Sequence, residues 1–556
     1  NNSDGSTTFS NASKVLNTGT DPAVTLSSNP GHTIDFTNGG LDIDTTSGAG
    51  LTATGGGTVN VTGADNTVDT TTGTAVNVVN TDIGANGLLF ESISAGTGSG
   101  TAGTGIILDT TGTSGGLTVT GDGSTAGSGG TIRNKTGDDG STSGIGVFMN
   151  DTGDVSLSFM QLNDFSNFAI RGSNVTNFDL IESVVNGVNG NSNAADEGSI
   201  SFDNLLGEAN FTNSSISGGH EDNIVVTNTS GTLDRMNVTG GTIGLNATST
   251  GNDGILVESQ STATLNLTVS EVSFEGARGD MVQCNALGTS TMDCVIQDNT
   301  FNNTHTNIVS GGGGITLSGG SAGSNINMTY DVSGTTPGSQ TFRGAAGNAI
   351  TVNFVAGAGT VSGTVENNSI GVSGVAGSGS SSGSGILAGA SEDVAHTATI
   401  NNNTIRSVDG FAGIEVIGNV DVTMNATITN NDVADLGGNV LSALYALFGG
   451  EGSETGTLCL DVQGNTLDAS DPSFSGNAVS LDQISDAGHY NLPGYTGSPN
   501  GESATSCTAG TASADVSSYL SGRSNTMTNG PSPVFTGGSA DATIVCGVTG
   551  NGTSCP

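Results

Sequence analysis

A six-residue pattern, apolar-x-x-Asn-x-apolar, returns roughly every thirty residues through the middle and C-terminal parts of this chain, and so regular a return marks the coils of a solenoid. Its clear copies are Ile296, Asn299, Phe301; Val365, Asn368, Ile370; Ile400, Asn403, Ile405; Ile428, Asn431, Val433; and Val462, Asn465, Leu467. Looser copies put another residue in the Asn place: Leu180, Ser183, Val185; Phe211, Ser214, Ile216; Val238, Gly241, Ile243; and Val269, Val272, Phe274. From Leu180 the steps between leading residues are 31, 27, 31, 27, 69, 35, 28 and 34. The long step reads as two turns with a degenerate copy near Asn327.

A second pattern runs in phase with the first: a small residue or Asn, then Ile or Val, then an aliphatic two residues on. Examples are Gly105 to Leu108, Asn223 to Val226, Gly254 to Val257, Gly314 to Leu317, Ala349 to Val352 and Gly413 to Val416. The segment Ala263 to Val269 alternates cleanly, Leu265, Leu267 and Val269 against Thr264, Asn266 and Thr268. A period of two is a strand signal. Two short strands per period, separated by Gly, Ser, Asn and Thr, cannot bury an apolar face alone, so neighbouring repeats must stack. Leucine-rich and helical repeats are excluded: the Leu framework is too sparse, helix formers do not run together, and 92 of 556 residues are Gly.

Length does not force separate cores, because each coil touches only its neighbours and one elongated domain suffices. Residues 1–95 read as an N-terminal cap or degenerate rungs, 96–450 as the solenoid body, and 451–556 as C-terminal rungs and a cap. Six of the nine prolines and four of the six cysteines fall in that last stretch. A capped end has a physical reason, since an open sheet edge exposes unpaired N–H and C=O groups.

Acidic residues number 51 against 9 Lys and Arg, a formal net charge of −42. Nucleic acid and anionic membrane are therefore poor partners. The longest mostly apolar run, Val440 to Phe448, is too short to cross a bilayer. Cys284, Cys294, Cys459, Cys507, Cys546 and Cys555 match no metal-finger spacing and read as disulfides of an oxidising setting. Six cysteines allow fifteen pairings; the expected one is nearest-neighbour, Cys284 with Cys294, Cys459 with Cys507, and Cys546 with Cys555. No signal peptide is visible at Asn1, and the chain reads as a mature secreted segment.

With both patterns laid out, the chain resembles the right-handed parallel β-helix proteins, in particular the bacterial β-strand-repeat surface proteins and type V secreted adhesins. The resemblance covers most of the chain and is specific for architecture, not activity. It implies an all-β fold: a right-handed parallel β-helix solenoid with a disulfide-tied C-terminal cap. In such proteins a turn Asn can stack with its counterparts above and below, amide to amide, which is the role implied for Asn299, Asn368, Asn403, Asn431 and Asn465. A simple left-handed turn preference of Asn predicts the same residues without stacking, and the sequence leaves the two open.

Candidate chemistry is thin. Lys14, Arg133, Lys135, Arg171, Arg235, Arg278, Arg343, Arg406 and Arg523 are scattered without a repeated partner. The nearest approach to paired carboxylates is His220, Glu221, Asp222, which leads into the Ile224 strand and reads as a turn. Arg278-Gly279-Asp280 resembles the cell-attachment tripeptide of animal matrix proteins, yet a turn is the preferred reading. Acidic loops at Asp122, Asp138 and Asp253 offer Ca²⁺ ligands but match no Ca²⁺-loop spacing, so no cofactor is expected. Asn-x-Ser/Thr triplets at Asn60, Asn150, Asn174, Asn237, Asn246 and Asn425 are numerous, as composition alone dictates. The expected function is that of a secreted, cell-surface structural or adhesive element without catalysis, self-associating head to tail into filaments and presenting loops to a glycan or receptor. The alternative is a polysaccharide-active enzyme or carbohydrate-binding tailspike on the same scaffold, to be recognised by a groove of clustered acids with a nearby Arg.

Overall fold

Three strands, rather than the expected two, make each coil. The six-residue marker straddles a corner: its first apolar residue ends one strand and its last lies in a short third strand. Ile296 closes Thr291–Gln297 and Phe301 sits in Thr300–Asn302, with Asn299 at the bend between. In the second unit the third strand escapes notice because it is two to four residues long and offers few inward apolar residues, too few for a period of two to register. The computed structural model describes residues 3–496, apart from 322, 356, 420, 450–455, 471–475 and 484–488, together with 516, 518–528, 554 and 555. The chain divides into two units, 1–257 with 264–268, and 258–263 with 269–556.

The first unit is a stack of parallel strands from its start. Gly5–Phe9 pairs with His32–Phe36, and Val24–Ser27 with Leu51–Thr54. The described residues 3–95 carry stacked strands, and no helix lies among them. Inward residues line up coil over coil: Val76, Ile106, Val147, Ile170, Ile200 and Ile224 form one column, and Leu157, Leu180, Phe211 and Val238 a second. A third follows Ile132, Leu162, Val185, Ile216 and Ile243. Parallel in-register pairing puts each side chain directly above its counterpart at the strand spacing, about 4.8 Å.

The second unit repeats the plan. Ile315, Ile350, Ile386, Ile414, Leu444 and Val479 form one column, and Ile296, Val332, Val365, Ile400, Ile428 and Val462 another. The third runs Phe274, Phe301, Phe342, Ile370, Ile405, Val433, Leu467 and Met527. Its three rings stack with centroids 4.6 Å apart at both steps. The fold is an all-β parallel β-helix, as expected. No described helix is long and apolar enough to cross a membrane.

The degenerate coil within the 69-residue step is not marked by Asn327. That residue is exposed in the strand Asn325–Ser333. The corner residue is Gln340, reached only after residues 334–339 lengthen the turn beyond Val332 and break the spacing.

Cys284 pairs with Cys294 as expected, both fully buried. Cys459 pairs with Cys555, not with Cys507, and the expected Cys546–Cys555 pair falls with it. Spacing could not choose, because a chain segment of any length can return to a coil it folds over. Cys507 and Cys546 lie outside the described residues, as does most of the expected C-terminal cap. Disulfides are a mark of a non-reducing environment.

One titratable group is sealed in the second unit. His396 is fully buried; its Nδ1 lies 3.0 Å from the Gly389 carbonyl and its Nε2 2.9 Å from the Tyr330 hydroxyl. A carbonyl only accepts, so Nδ1 carries the proton and Nε2 accepts from Tyr330. Burial pushes the ring's pKa down to about 4. The unfolded ring takes a proton below about 6.5 and the folded ring only near 4. This contribution is therefore complete above the upper value and is lost as pH falls to the lower, by about 3 kcal/mol. The expected result is that urea midpoints of the second unit's transition fall across that window in the native protein, and that the fall is reduced in His396→Gln.

Candidate functional site

The corner residues answer the open question about the recurring Asn, because two neighbouring positions divide the work. The residue before the marker Asn takes the left-handed conformation: Asp298 (φ 57°), Asn367 (60°), Asn402 (55°), Asn430 (56°), Gly464 (71°) and Ser524 (64°). The marker residue itself turns inward and is buried. Asn299 Nδ2 donates to Gln340 Oε1 at 3.1 Å, Gln340 Nε2 to Asn368 Oδ1 at 3.0 Å, and Asn368 Nδ2 to Asn403 Oδ1 at 2.9 Å. Asn403 continues to Asn431 at 2.9 Å, Asn431 to Asn465 at 2.9 Å, and Asn465 to Asn525 at 3.0 Å.

Seven carboxamides thus form one chain of hydrogen bonds. The second amide proton of each goes to a backbone carbonyl of the preceding coil, as from Asn368 to Val332, Asn403 to Val365 and Asn431 to Ile400. The accepting oxygen also takes a backbone N–H: that of Asn368 on Asn403, of Asn403 on Asn431, of Asn431 on Asn465. Both donors and both lone pairs are used, which is what a buried amide requires. Gln340 and Asn525 belong to the ladder and were missed. Gln340 is a different residue type; Asn525 lies 60 residues beyond Asn465, so the period is lost. In the first unit shorter side chains do part of the same job: Ser183 Oγ accepts Met160 N–H at 3.0 Å, and Ser214 Oγ accepts Ser183 N–H at 3.1 Å.

Several basic residues act as staples between coils. Arg406 pairs with Asp432 and donates to the Asp432 carbonyl; Arg343 donates to the Phe342 and Ser369 carbonyls. Lys135 is fully buried with Nζ on the Thr72 and Gly73 carbonyls, at 3.1 and 2.8 Å, and burial pushes its pKa down to about 8. Asp280 of the Arg278-Gly279-Asp280 tripeptide accepts bonds from Gly314 and Thr316, and burial raises it to about 6. That carboxylate is engaged inside its own fold, as a turn reading requires. Asp122 accepts the Ser124 and Thr125 N–H groups in a turn of its own. Among the described residues no three His, Cys, Asp or Glu side chains form a metal-holding group. The triplet residues Asn60 and Asn246 are buried, whereas Asn174 is exposed.

Arg171 differs from the other cations because it faces a cleft. Phe148, Arg171, Ser201 and Val225 are register partners on four successive strands of the first unit and make the cleft floor. Residues 140–142 and 195–196 form walls around a cavity of about 260 Å³. The guanidinium lies over the Phe168 ring, 5.3 Å from its centroid, pairs with Asp203 and donates to Ser201 Oγ at 2.5 Å. The sequence placed Arg171 among scattered residues. Only the rung register, 23 residues back to Phe148 and 30 on to Ser201, brings these together.

Next to that wall, His220, Glu221 and Asp222 form the expected turn with one addition. Asn193 Nδ2 donates to one Glu221 oxygen at 2.8 Å, while the other oxygen is enclosed without a hydrogen-bond partner among the described residues. Asp222 is engaged separately, accepting the Asp253 N–H at 2.6 Å. Burial, and then the neighbouring Asp196 carboxyl, raise Glu221 to about 7. Glu197 anchors the same loop by accepting the Asn191 and Ser192 N–H groups at 2.8 and 3.0 Å. No family model, curated protein or solved structure matches this chain.

Two outcomes test this arrangement. Asn403→Ala removes the acceptor of the Asn368 N–H and of one Asn368 amide proton and is expected to cost about 3 kcal/mol or more. Asn402→Gly, one residue earlier, keeps the left-handed turn and is expected to cost about 1 kcal/mol or less; urea denaturation compares the pair. For Glu221 the sign is opposite to that of His396. A carboxyl raised in the fold holds its proton more tightly than the unfolded chain, so its contribution is complete below about 4.5 and is lost as pH rises towards 7. Glu221→Gln is expected to flatten that loss, read by pH-corrected hydrogen exchange over 190–198.

Proposed function

We propose that this protein is a non-catalytic structural and adhesive element of an extracellular surface, a stiff solenoid whose loops and cleft meet partners. The supporting observation is the seven-member carboxamide ladder, buried and fully bonded in the second unit. Satisfied buried polar networks rigidify and specify one arrangement.

The two described disulfides support an oxidising, extracellular setting. The acidic excess favours solubility and disfavours polyanionic partners. Head-to-tail association of copies into filaments is part of the proposal, because parallel strands at the end of any stack offer backbone groups to a further strand.

Two measurements test it. Negative-stain microscopy over rising concentration is expected to show end-to-end fibres; separate single particles at every concentration remove the filament. Incubation with a panel of neutral and acidic polysaccharides is expected to release no reducing ends and no unsaturated products. Turnover that disappears in Arg171→Gln overturns the non-catalytic reading in favour of the enzyme alternative.

A further inference from the structure

We propose that the Arg171 cleft of the first unit is a binding site for a neutral sugar unit of a glycan. Its floor follows from parallel register. Phe148, Arg171, Ser201 and Val225 stand side by side on neighbouring strands, each about 4.8 Å from the next. Aromatic, planar cation, hydroxyl and aliphatic group therefore follow one another along a line that crosses the strands. A pyranose ring has the matching character, apolar C–H faces and a polar rim, and a cavity of about 260 Å³ is at the small end of ligand pockets, the size of one ring with part of the next.

Preorganisation distinguishes this cleft from an incidental dent. Arg171 lies over Phe168, tied to Asp203 and bonded to Ser201, before any ligand arrives. Its remaining N–H groups and the outer face of the Asp203 carboxylate are then a fixed donor and acceptor pair, and ordering them costs a ligand little. The Asp196 wall adds a second acceptor.

Charge and topology exclude the competing occupants. With Arg171 already paired to Asp203, the free charge at the cleft wall is that of Asp196, which repels uronates, sulfated glycans and nucleic acid. An extended peptide gains affinity chiefly by adding a strand to a free edge. Here the floor strands Val147–Ser158, Ile170–Ile181 and Ile200–Thr212 are each paired on both sides, so no edge is offered. A purely apolar ligand leaves the Arg171, Ser201 and Asp203 groups without partners.

Saturation-transfer NMR tests the proposal with four probes: maltotriose, cellotriose, trigalacturonate and trilysine. The expected result is transfer to one or both neutral trisaccharides, weak or none to trigalacturonate and trilysine. Apparent affinity should fall about tenfold in Phe148→Ala, an aromatic contact of the size such rings supply. Asp203→Asn, which keeps the shape of the floor, should also weaken binding several-fold while the far-ultraviolet circular dichroism stays native. Preference for trigalacturonate or trilysine, absence of transfer to both neutral sugars, or affinity equal in both variants to that of the native protein overturns the assignment. The filament and turnover measurements above are independent of these results, so either reading can fail alone.

Discussion

A buried carboxamide has two protons to place and two lone pairs to fill, and in the second unit that demand sets the register of the coils. From Asn299 to Asn465, each amide reaches forward to the next side-chain oxygen and back to a main-chain carbonyl, and the accepting oxygens also take a neighbouring coil's N–H, the chain ending on Asn525. A coil slipped by one residue breaks all of these at once and turns its aliphatic residues outward. Hydrophobic burial drives the stacking, but a column of Ile and Val tolerates small shifts that the amides do not. The preceding left-handed residue makes the ladder possible, because it bends the chain sharply enough for the next side chain to point inward.

With the interior so constrained, the outside is free to vary. Turns lengthen by several residues without disturbing the stack, as at 334–339, since connections run over the surface and carry few core contacts. The same freedom bears on charge. Identical carboxylates stacked at strand spacing repel, and in the first unit they are interleaved with amides: Asn150 donates to Asp109, Asn174 to Asp151, Asn177 to Asp154 and Asn210 to Asp179, at 2.8 to 2.9 Å. A strongly acidic surface is thereby made compatible with close stacking. The Arg171 cleft is another product of register, four unlike side chains placed in line by coils of unequal length.

Much of this was legible beforehand where one residue type repeats at one place. Phe301, Ile370, Ile405, Val433 and Leu467 are legible as interior residues because each closes the six-residue marker at the same place in every return. Gln340 and Asn525 are not, since one changes the residue type and the other follows a long excursion, yet both satisfy the same hydrogen-bonding requirement. The third strand was hidden by its shortness. Cys459 was misassigned because proximity along the chain says little once segments fold back over earlier coils.

The amino-acid order alone determined that this polypeptide winds into stacked parallel strands, because repeated apolar residues that cannot be buried within one repeat leave stacking as the way to remove them from water. Whether the recurring Asn merely bends the chain or also joins the coils, which cysteine meets Cys459, and which side chains share a cleft were decided only by tertiary structure. The amide ladder and the cleft depend on what lies one coil above or below, about 4.8 Å away in space but 23 to 63 residues along the chain, and the Cys459 disulfide joins residues 96 apart.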